Sequence, residues 1–277
     1  MSDPVILWSA AIVVGLCVGS FLNVVIHRLP KMLEQQWQLQ CAELSGAPPA
    51  ATPAYNLVVP RSQCPACARP IRAIENIPLL SWLALRGKCA GCGAVIPSRY
   101  PVVELLGALA AVAAMARFGS SMQALAAAVF LWTLLALTFI DFDTQLLPDN
   151  LTIPLLWGGL IVNLWDLFTP LGHAVVGAAA GYLSLWTVYW LFKLLRNKEG
   201  MGYGDFKLLA ALGAWLGWEA LPLIVLLSSV VGAVIGIGLI VFKGRDHNIP
   251  LAFGPYLAIA GVIALFWGKT LVALYLP

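Results

Sequence analysis

Long apolar stretches recur along the chain, and they constrain its fold more than any other feature. Of the 277 residues, 61% are hydrophobic and only 10% are charged. An uncharged apolar stretch of about 18 or more residues is typical of a membrane-spanning helix. A cleavable signal peptide would supply only a single short run. The sequence therefore predicts an all-α polytopic membrane protein.

We count about eight candidate transmembrane helices. The predicted segments are Pro4 to Ile26, Tyr100 to Arg117, Met122 to Ile140, Leu151 to Phe168, His173 to Leu195, Phe206 to Trp218, Glu219 to Phe242 and Leu251 to Tyr275. The sixth segment is short, because a full crossing usually needs about 17–25 residues. We expect a tilt or a locally thinned bilayer around it.

The basic residues predict the orientation of these helices. All 16 lysines and arginines except Arg117 and Lys269 fall in segments on one side of the predicted membrane. Cytoplasmic segments of membrane proteins carry an excess of Lys and Arg. That side is therefore predicted to be cytoplasmic, with both termini outside. Asp141 and Asp205 then lie at the same cytoplasmic membrane surface.

Only one polar region is long enough to form a domain. It covers residues 27–99, between a first transmembrane helix of residues 1–26 and a seven-helix membrane domain of residues 100–277, and it holds every cysteine except Cys17. Its residues 41–52 are rich in Pro, Ala and Gly and show no helical or strand period, which indicates a linker.

Four cysteines in this region form two C-x2-C pairs, Cys64 with Cys67 and Cys89 with Cys92. Two such pairs can surround one ion with a closed tetrahedral shell of thiolates, the usual structural zinc site. Two disulfides are the alternative, but they rarely persist in a reducing cytoplasm. We therefore predict a small cytoplasmic zinc-binding domain that would unfold on chelation. Cys17 and Cys41 are interpreted as packed or free thiols.

Two aspartates stand at the ends of apolar runs. Asp141 ends the third run, and Asp205 belongs to the sequence Gly202-Tyr203-Gly204-Asp205. Acids at a bilayer boundary are costly, so they indicate functional sites. Taken singly, each acid has a simpler interpretation: Asp149 and Asp205 as helix caps and Asp143 as a solvated loop residue.

Taken together, the two aspartates favour aspartyl catalysis. Gly202 and Gly204 remove side chains from the turn, so another backbone can approach Asp205 closely. Two carboxylates near one water can act as base and acid in peptide hydrolysis. Such a pair shares one proton, because like charges a few ångströms apart do not both ionise readily.

The order of these motifs resembles the bacterial type IV prepilin peptidases, which are GxGD-type aspartic peptidases. The matching segments are Asp141 with Leu147-Pro148-Asp149, Gly202 to Lys207, Val18 to Pro30, the paired cysteines, Tyr100 to Glu104 and Phe253 to Leu257. The resemblance implies that Asp141 and Asp205 are the catalytic pair. Gly202, Gly204 and Lys207 are candidates for contacting substrate. One departure is Pro250, since the family more often has proline directly before Phe-Gly-Pro.

The resemblance also implies the biological setting and a second activity. Family members remove a short basic leader from type IV prepilins, and from the related pseudopilins of type II secretion, in the bacterial inner membrane. They then methylate the new amino terminus with S-adenosylmethionine. Asn23 and Glu104 are candidates for binding that cofactor, although helix packing and anchoring are alternative roles. Membrane lipid is an expected partner, and nucleic acid is not.

Two other classes of protein remain open from sequence. An ion-coupled transporter also places acids and broken helices in a bilayer, but it would need polar groups near the midplane, where these segments are nearly free of them. A zinc-dependent scaffold without activity would account for the cysteines. It would leave the Gly-x-Gly-Asp sequence unexplained.

Overall fold

The computed structural model of the protein describes residues 4–46, 54–197, 201–243 and 252–276. Within these ranges the chain forms nine α-helices, short 3-10 segments and no β-strand, so the predicted all-α fold is confirmed. The helices are α1 Pro4–Leu44, α2 Leu80–Ala84, α3 Arg99–Phe118, α4 Met122–Thr144, α5 Asp149–Val162, α6 Leu171–Arg196, α7 Tyr203–Leu216, α8 Leu221–Lys243 and α9 Gly254–Val272. Part of the predicted linker, Lys198, Arg245 and the departure at Pro250 lie outside the described residues.

Six helices in the described part of the chain are long and apolar enough to cross a membrane. They are α1, α3, α4, α6, α9 and the segment Trp218–Leu239, which contains most of α8. The other two long segments, α5 and α7, have 14 residues each. At 1.5 Å per residue each is only about 21 Å long. The chain is thus a multi-pass membrane protein, and the count of eight crossings stays a prediction.

Helix α1 is much longer than the apolar run that begins it. It has 41 residues, contains Pro30 and continues to Leu44, whereas the sequence predicted a first helix ending at Ile26. The extension, residues 31–44, is mostly Leu, Glu, Gln, Lys, Met and Ala, which are strong helix formers. The apolar run of α1 ends near the predicted boundary, but the helix continues through the polar residues that follow. It therefore includes residues 41–44, the beginning of the predicted linker.

The chain divides into two compact units, and the first comprises Met1–Ala128. In this unit α1 and α3 run antiparallel at very close range. A Cβ atom on Gly19 would lie 2.7 Å from the Cα of Glu104, and one on Gly107 would lie 2.7 Å from the carbonyl oxygen of Gly15. Small residues allow membrane helices to approach this closely. The glycines therefore set the register of α1 against α3.

The second unit comprises Val129–Pro277, and α7 lies at its centre. Helices α5, α6 and α9 pack around α7, and almost every residue of α7 from Asp205 onward is buried. The indole Nε1 of Trp215 donates to the carbonyl of Leu155 at 2.7 Å, which ties α7 to α5. Because protein rather than lipid surrounds α7, its short length does not leave polar backbone facing hydrocarbon.

Candidate active site and metal centre

Asp141 is a buried residue in the last turn of α4. Asp141 is only 4% exposed, and its Oδ2 accepts a hydrogen bond from the backbone N–H of Gly254 at 2.9 Å. Gly254 is the first residue of α9. A Cβ atom on Gly254 would lie 2.7 Å from this same Oδ2, closer than such atoms normally approach. The position therefore suits a residue without a side chain.

Asp205 is the third residue of α7 and is 7% exposed. It is not the N-cap residue of that helix, because Gly202 occupies the cap position, and the Asp205 carboxyl accepts a hydrogen bond from the Gly202 backbone. This contact is one half of a capping box. The carboxyl groups of Asp205 and Asp141 also interact electrostatically. The structure thus brings the two predicted aspartates into one buried site.

Leu147 packs against two glycines of the site, Gly204 and Gly254. A Cβ atom on Gly204 would lie 2.7 Å from the Cβ of Leu147, and one on Gly254 would lie 3.0 Å from its Cδ2. By contrast, a Cβ atom on Gly202 would meet only Asp205, at 3.8 Å. Of the two positions, only 204 has no room for a side chain. The group that approaches Gly204 is the Leu147 side chain rather than another backbone.

Lys207, predicted to contact substrate, has a partner within the protein. Its Nζ donates to Oδ1 and Oδ2 of Asp149 at 2.6 and 2.7 Å, and both side chains are partly exposed. Asp149 is the first residue of α5, where Pro148 rather than Asp149 occupies the N-cap position. The ion pair joins the start of α5 to the start of α7. Asp143 is exposed and lies outside the buried site.

The four predicted metal ligands converge. The sulfur atoms of Cys64, Cys67, Cys89 and Cys92 all lie within 4.8 Å of one another, and all four are free thiols rather than disulfides. A tetrahedral site with zinc–sulfur bonds of about 2.3 Å has sulfur–sulfur edges of about 3.8 Å. The Cys64 Sγ to Cys92 Sγ distance is 3.8 Å. The cluster could hold a metal ion, and its size suits zinc.

Each pair of cysteines lies in a short hairpin of the same form. The N–H of Cys64 donates to the carbonyl of Arg69 at 3.0 Å, and the N–H of Cys89 donates to that of Ala94 at 2.8 Å. Backbone N–H groups of Cys92 and Gly91 lower the pKa of the Cys89 thiol to about 6, because they stabilise its thiolate. The Cys89 sulfur is therefore in the thiolate form that binds metal. The backbone N–H of Ala94 lowers the pKa of the Cys92 thiol, but hydrogen bonds with neighbouring sulfurs such as Cys67, together with burial, outweigh it and raise that pKa to about 11.

The candidates for cofactor binding, Asn23 and Glu104, are buried and engaged with backbone groups. The Asn23 amide donates to the carbonyl of Tyr100 at 3.1 Å, and Glu104 Oε2 accepts from the N–H of Leu79 at 2.8 Å. Arg28, another buried residue of α1, donates to the carbonyls of Asn56 and Pro60 at 2.9 and 2.7 Å. These contacts favour an anchoring role for all three side chains.

Two functional features were not recognised from the sequence. One is Gly254, which holds Asp141, and the other is Leu147, which packs against both glycines. Each lies in a segment that matches the family pattern, Leu147-Pro148-Asp149 and Phe253-Gly254-Pro255. That match was the available signal, but it did not indicate which contact either residue makes.

The fold and the site define a class of protein, namely multi-pass helical membrane proteins with a buried pair of aspartates and a four-cysteine cluster. One aspartate of the pair, Asp205, belongs to a Gly-x-Gly-Asp turn. The chain belongs to the type IV leader peptidase family. The model of that family matches residues 128–237, and the model described as the bacterial peptidase A24 N-terminal domain matches residues 13–118.

Relatives named prepilin leader peptidase/N-methyltransferase align over almost the whole chain. The one from Aeromonas salmonicida strain A449 is 58% identical over 276 residues, covering 99% of this chain and 95% of its own. The one from Pseudomonas aeruginosa is 54% identical over 276 residues with the same coverage of each chain. The one from Burkholderia pseudomallei strain 1026b is 56% identical, covering 93% of this chain and 84% of its own. No solved structure gives a significant match.

Proposed function

We propose that this protein is a bifunctional enzyme that cleaves the leader of type IV prepilins and methylates the amino terminus so exposed. The observation that carries the peptidase half is the buried site in which Gly254 holds the Asp141 carboxylate beside Asp205. The methyltransferase half rests on relatives named for both activities and at least 54% identical to this chain.

Asp141 and Asp205 are the catalytic groups in this proposal. The ionised carboxylate accepts a proton from a water molecule as the water attacks the scissile carbonyl. The protonated carboxyl polarises that carbonyl and then gives its proton to the leaving amine. The hydrogen bond from Gly254 fixes the direction of one Asp141 oxygen, which leaves the other free to contact water. No metal takes part in these steps.

The distribution of charge supports a site at the cytoplasmic surface of the bacterial inner membrane. The connections beside Asp141 and Asp205 belong to the side that carries nearly all the lysines and arginines. A prepilin keeps its basic leader in the cytoplasm and its following apolar segment in the bilayer, so its scissile bond lies at this boundary. Pseudopilins have the same arrangement and are proposed as further substrates, with lipid as a partner and no role for nucleic acid.

We assign zinc to the four-cysteine cluster as a structural ion. The cluster has four free thiols, a usual donor set for structural zinc, and its Cys64–Cys92 sulfur distance of 3.8 Å matches the edge of a zinc tetrahedron. Four thiolates close the coordination shell, so no position is open for water or substrate. The ion would hold together the two hairpins, residues 63–70 and 88–95, which contain little hydrophobic core.

S-adenosylmethionine is the proposed methyl donor, and it would supply the methyl group to the new amino terminus. Asn23 and Glu104 stay the candidates for contacting it, and the Asn23 amide nitrogen and Glu104 Oε2 also hold the backbones of Tyr100 and Leu79. The methyl-transfer site is proposed to be separate from the aspartates.

The test uses purified full-length protein, a synthetic prepilin segment and S-adenosylmethionine, with mass spectrometry for leader loss and for an added methyl group. The wild type should produce both changes. Asp141→Asn and Asp205→Asn should each abolish leader loss, because neither amide can exchange a proton with water as a carboxylate does. Both should still methylate a peptide supplied without its leader.

Asp143→Asn is the matched control, since Asp143 lies in the same helix but is exposed. It should cleave at the wild-type rate. Cleavage by a purified variant of Asp141 or Asp205 would refute the dyad. Loss of cleavage in the Asp143 variant as well would indicate a general effect of removing charge from the end of α4.

A further inference from the structure

An exposed apolar surface lies on the polar segment between α1 and α3. We call it the α2 apolar face, and it consists of Ile77, Leu80 and Leu83, which are 42%, 65% and 63% exposed. Residues three apart share one side of a helix, so Leu80 and Leu83 project together from α2. Trp82 points elsewhere, because its Nε1 donates to the carbonyl of Ile96 and its ring lies against Gly87.

The contact between Glu104 and Leu79 brings this face near one end of a helix that is long and apolar enough to span a membrane. Helix α3 has 20 residues and a length of about 30 Å, which matches the hydrocarbon thickness of a bilayer. Glu104 lies five residues, or about 7.5 Å, from the start of α3 at Arg99. Helical side chains lean toward the helix N-terminus. The Glu104 carboxylate therefore holds Leu79, next to Leu80, close to the end of the spanning helix.

A second contact fixes the same polar segment to α1. Arg28 lies beyond Asn23, which is level with Tyr100 at the start of α3. The Arg28 guanidinium donates to the carbonyls of Asn56 and Pro60. The segment is thus attached to the ends of two helices that are long and apolar enough to span the membrane. These attachments keep the segment near the ends of those two helices.

The charges on this segment suit an anionic lipid surface. Between residues 54 and 98 the sole acidic residue is Glu75, which is paired with Arg69 at 2.7 Å. The exposed basic residues of the same stretch are Arg61, Arg72, Arg86 and Lys88. Apolar side chains next to Lys and Arg are typical of a surface that lies in the membrane interface. Arg86 lies two residues beyond the end of α2 at Ala84, close in sequence to Leu83.

We propose that the α2 apolar face is a lipid-docking surface, which inserts into the interfacial layer of the membrane while the neighbouring arginines contact anionic headgroups. Docking holds the two cysteine hairpins, residues 63–70 and 88–95, on the bilayer surface. This proposal concerns the first unit alone and does not depend on the assignment of the aspartate pair or of either activity.

The test places the photoreactive residue p-benzoylphenylalanine at Leu83 in full-length protein reconstituted into vesicles of phosphatidylglycerol and phosphatidylcholine. The same residue at Ala90, exposed in the turn of the second hairpin, is the control. After irradiation, mass spectrometry should find phospholipid joined to position 83 and little at position 90. An unchanged metal content in each variant shows that the unit is folded.

A second measurement tests the role of charge. Arg72→Gln combined with Arg86→Gln should reduce the lipid adduct at position 83, because each basic residue near an anionic surface contributes roughly a fivefold preference and two contribute about 30-fold. Vesicles of phosphatidylcholine alone should abolish this difference between the variant and the parent. Equal lipid labelling at positions 83 and 90 would overturn the proposal. Adducts of position 83 only to an added prepilin segment, or to a second copy of the chain, would also overturn it.

Discussion

Substituting alanine for Gly254 tests whether the contact with Asp141 orients the carboxylate that we propose to be catalytic. The added Cβ would lie 2.7 Å from Asp141 Oδ2, and an ordinary contact needs about 3.4 Å, so the oxygen must move by about 0.7 Å. The same movement would lengthen the 2.9 Å hydrogen bond from the Gly254 N–H by several tenths of an ångström, past the usual range of about 2.7–3.2 Å, and so would weaken it. A misplacement of about 1 Å in an active site can lower the rate about 100-fold.

We therefore expect Gly254→Ala to reduce kcat/KM for leader removal by about 100-fold, or about 2.7 kcal/mol of transition-state stabilisation. The assay is the initial rate of leader loss from a synthetic prepilin segment, measured by mass spectrometry with purified protein. Methylation of a peptide without a leader should be unchanged. Gly254 adopts an ordinary helical backbone conformation, so alanine introduces no backbone strain and acts only through the contacts of its Cβ.

Gly238→Ala is the matched control, since a Cβ at that position of α8 would meet nothing within 4 Å. It should retain the wild-type rate. A wild-type rate in Gly254→Ala would refute the argument that this contact orients Asp141. An equal loss in both variants would show that glycine matters for helix flexibility rather than for the room it leaves beside the carboxylate.

Three other predictions follow from the contacts of the site. Gly204→Ala should slow leader removal much more than Gly202→Ala, because a Cβ at 204 would clash at 2.7 Å whereas one at 202 makes an ordinary 3.8 Å contact; the same cleavage assay compares them. Lys207→Asp should slow cleavage, and adding Asp149→Lys should restore it, because the exchanged pair re-forms the ion pair; a Lys207 that bound substrate would give no restoration. Cys92→Ser should lose bound metal, measured by elemental analysis, and should increase hydrogen exchange in the hairpins.

Much of the site followed from the sequence because its strongest signals are local. The two C-x2-C pairs predict a shared ion from their spacing alone, and their sulfur atoms do converge. Apolar run length predicted the membrane class, and the positions of Asp141 and Asp205 at the ends of such runs singled them out. Each of these inferences needs only the composition of a short stretch and the cost of burying charge.

Other features depended on contacts between distant parts of the chain. Asp141 and Gly254 are separated by 113 residues, and no local pattern pairs them. The partner of Lys207 could not be inferred from sequence, because an exposed lysine beside an active site suits a substrate contact as well as an ion pair. The length of α1 was underestimated because hydrophobicity was taken to mark the helix end, whereas its polar extension is also helical.

The sequence by itself determined that this chain is a multi-pass helical membrane protein, that four cysteines form one cluster, and which two aspartates are the candidates for catalysis. The tertiary structure decided how the carboxylates are held, with Leu147 against Gly204 and Gly254, and it gave Asn23 and Glu104 their backbone partners. The physical reason is that hydrophobicity and ligand spacing act along the chain. Close packing depends on where helices meet in space, and a single added carbon atom can prevent two helices or side chains from meeting.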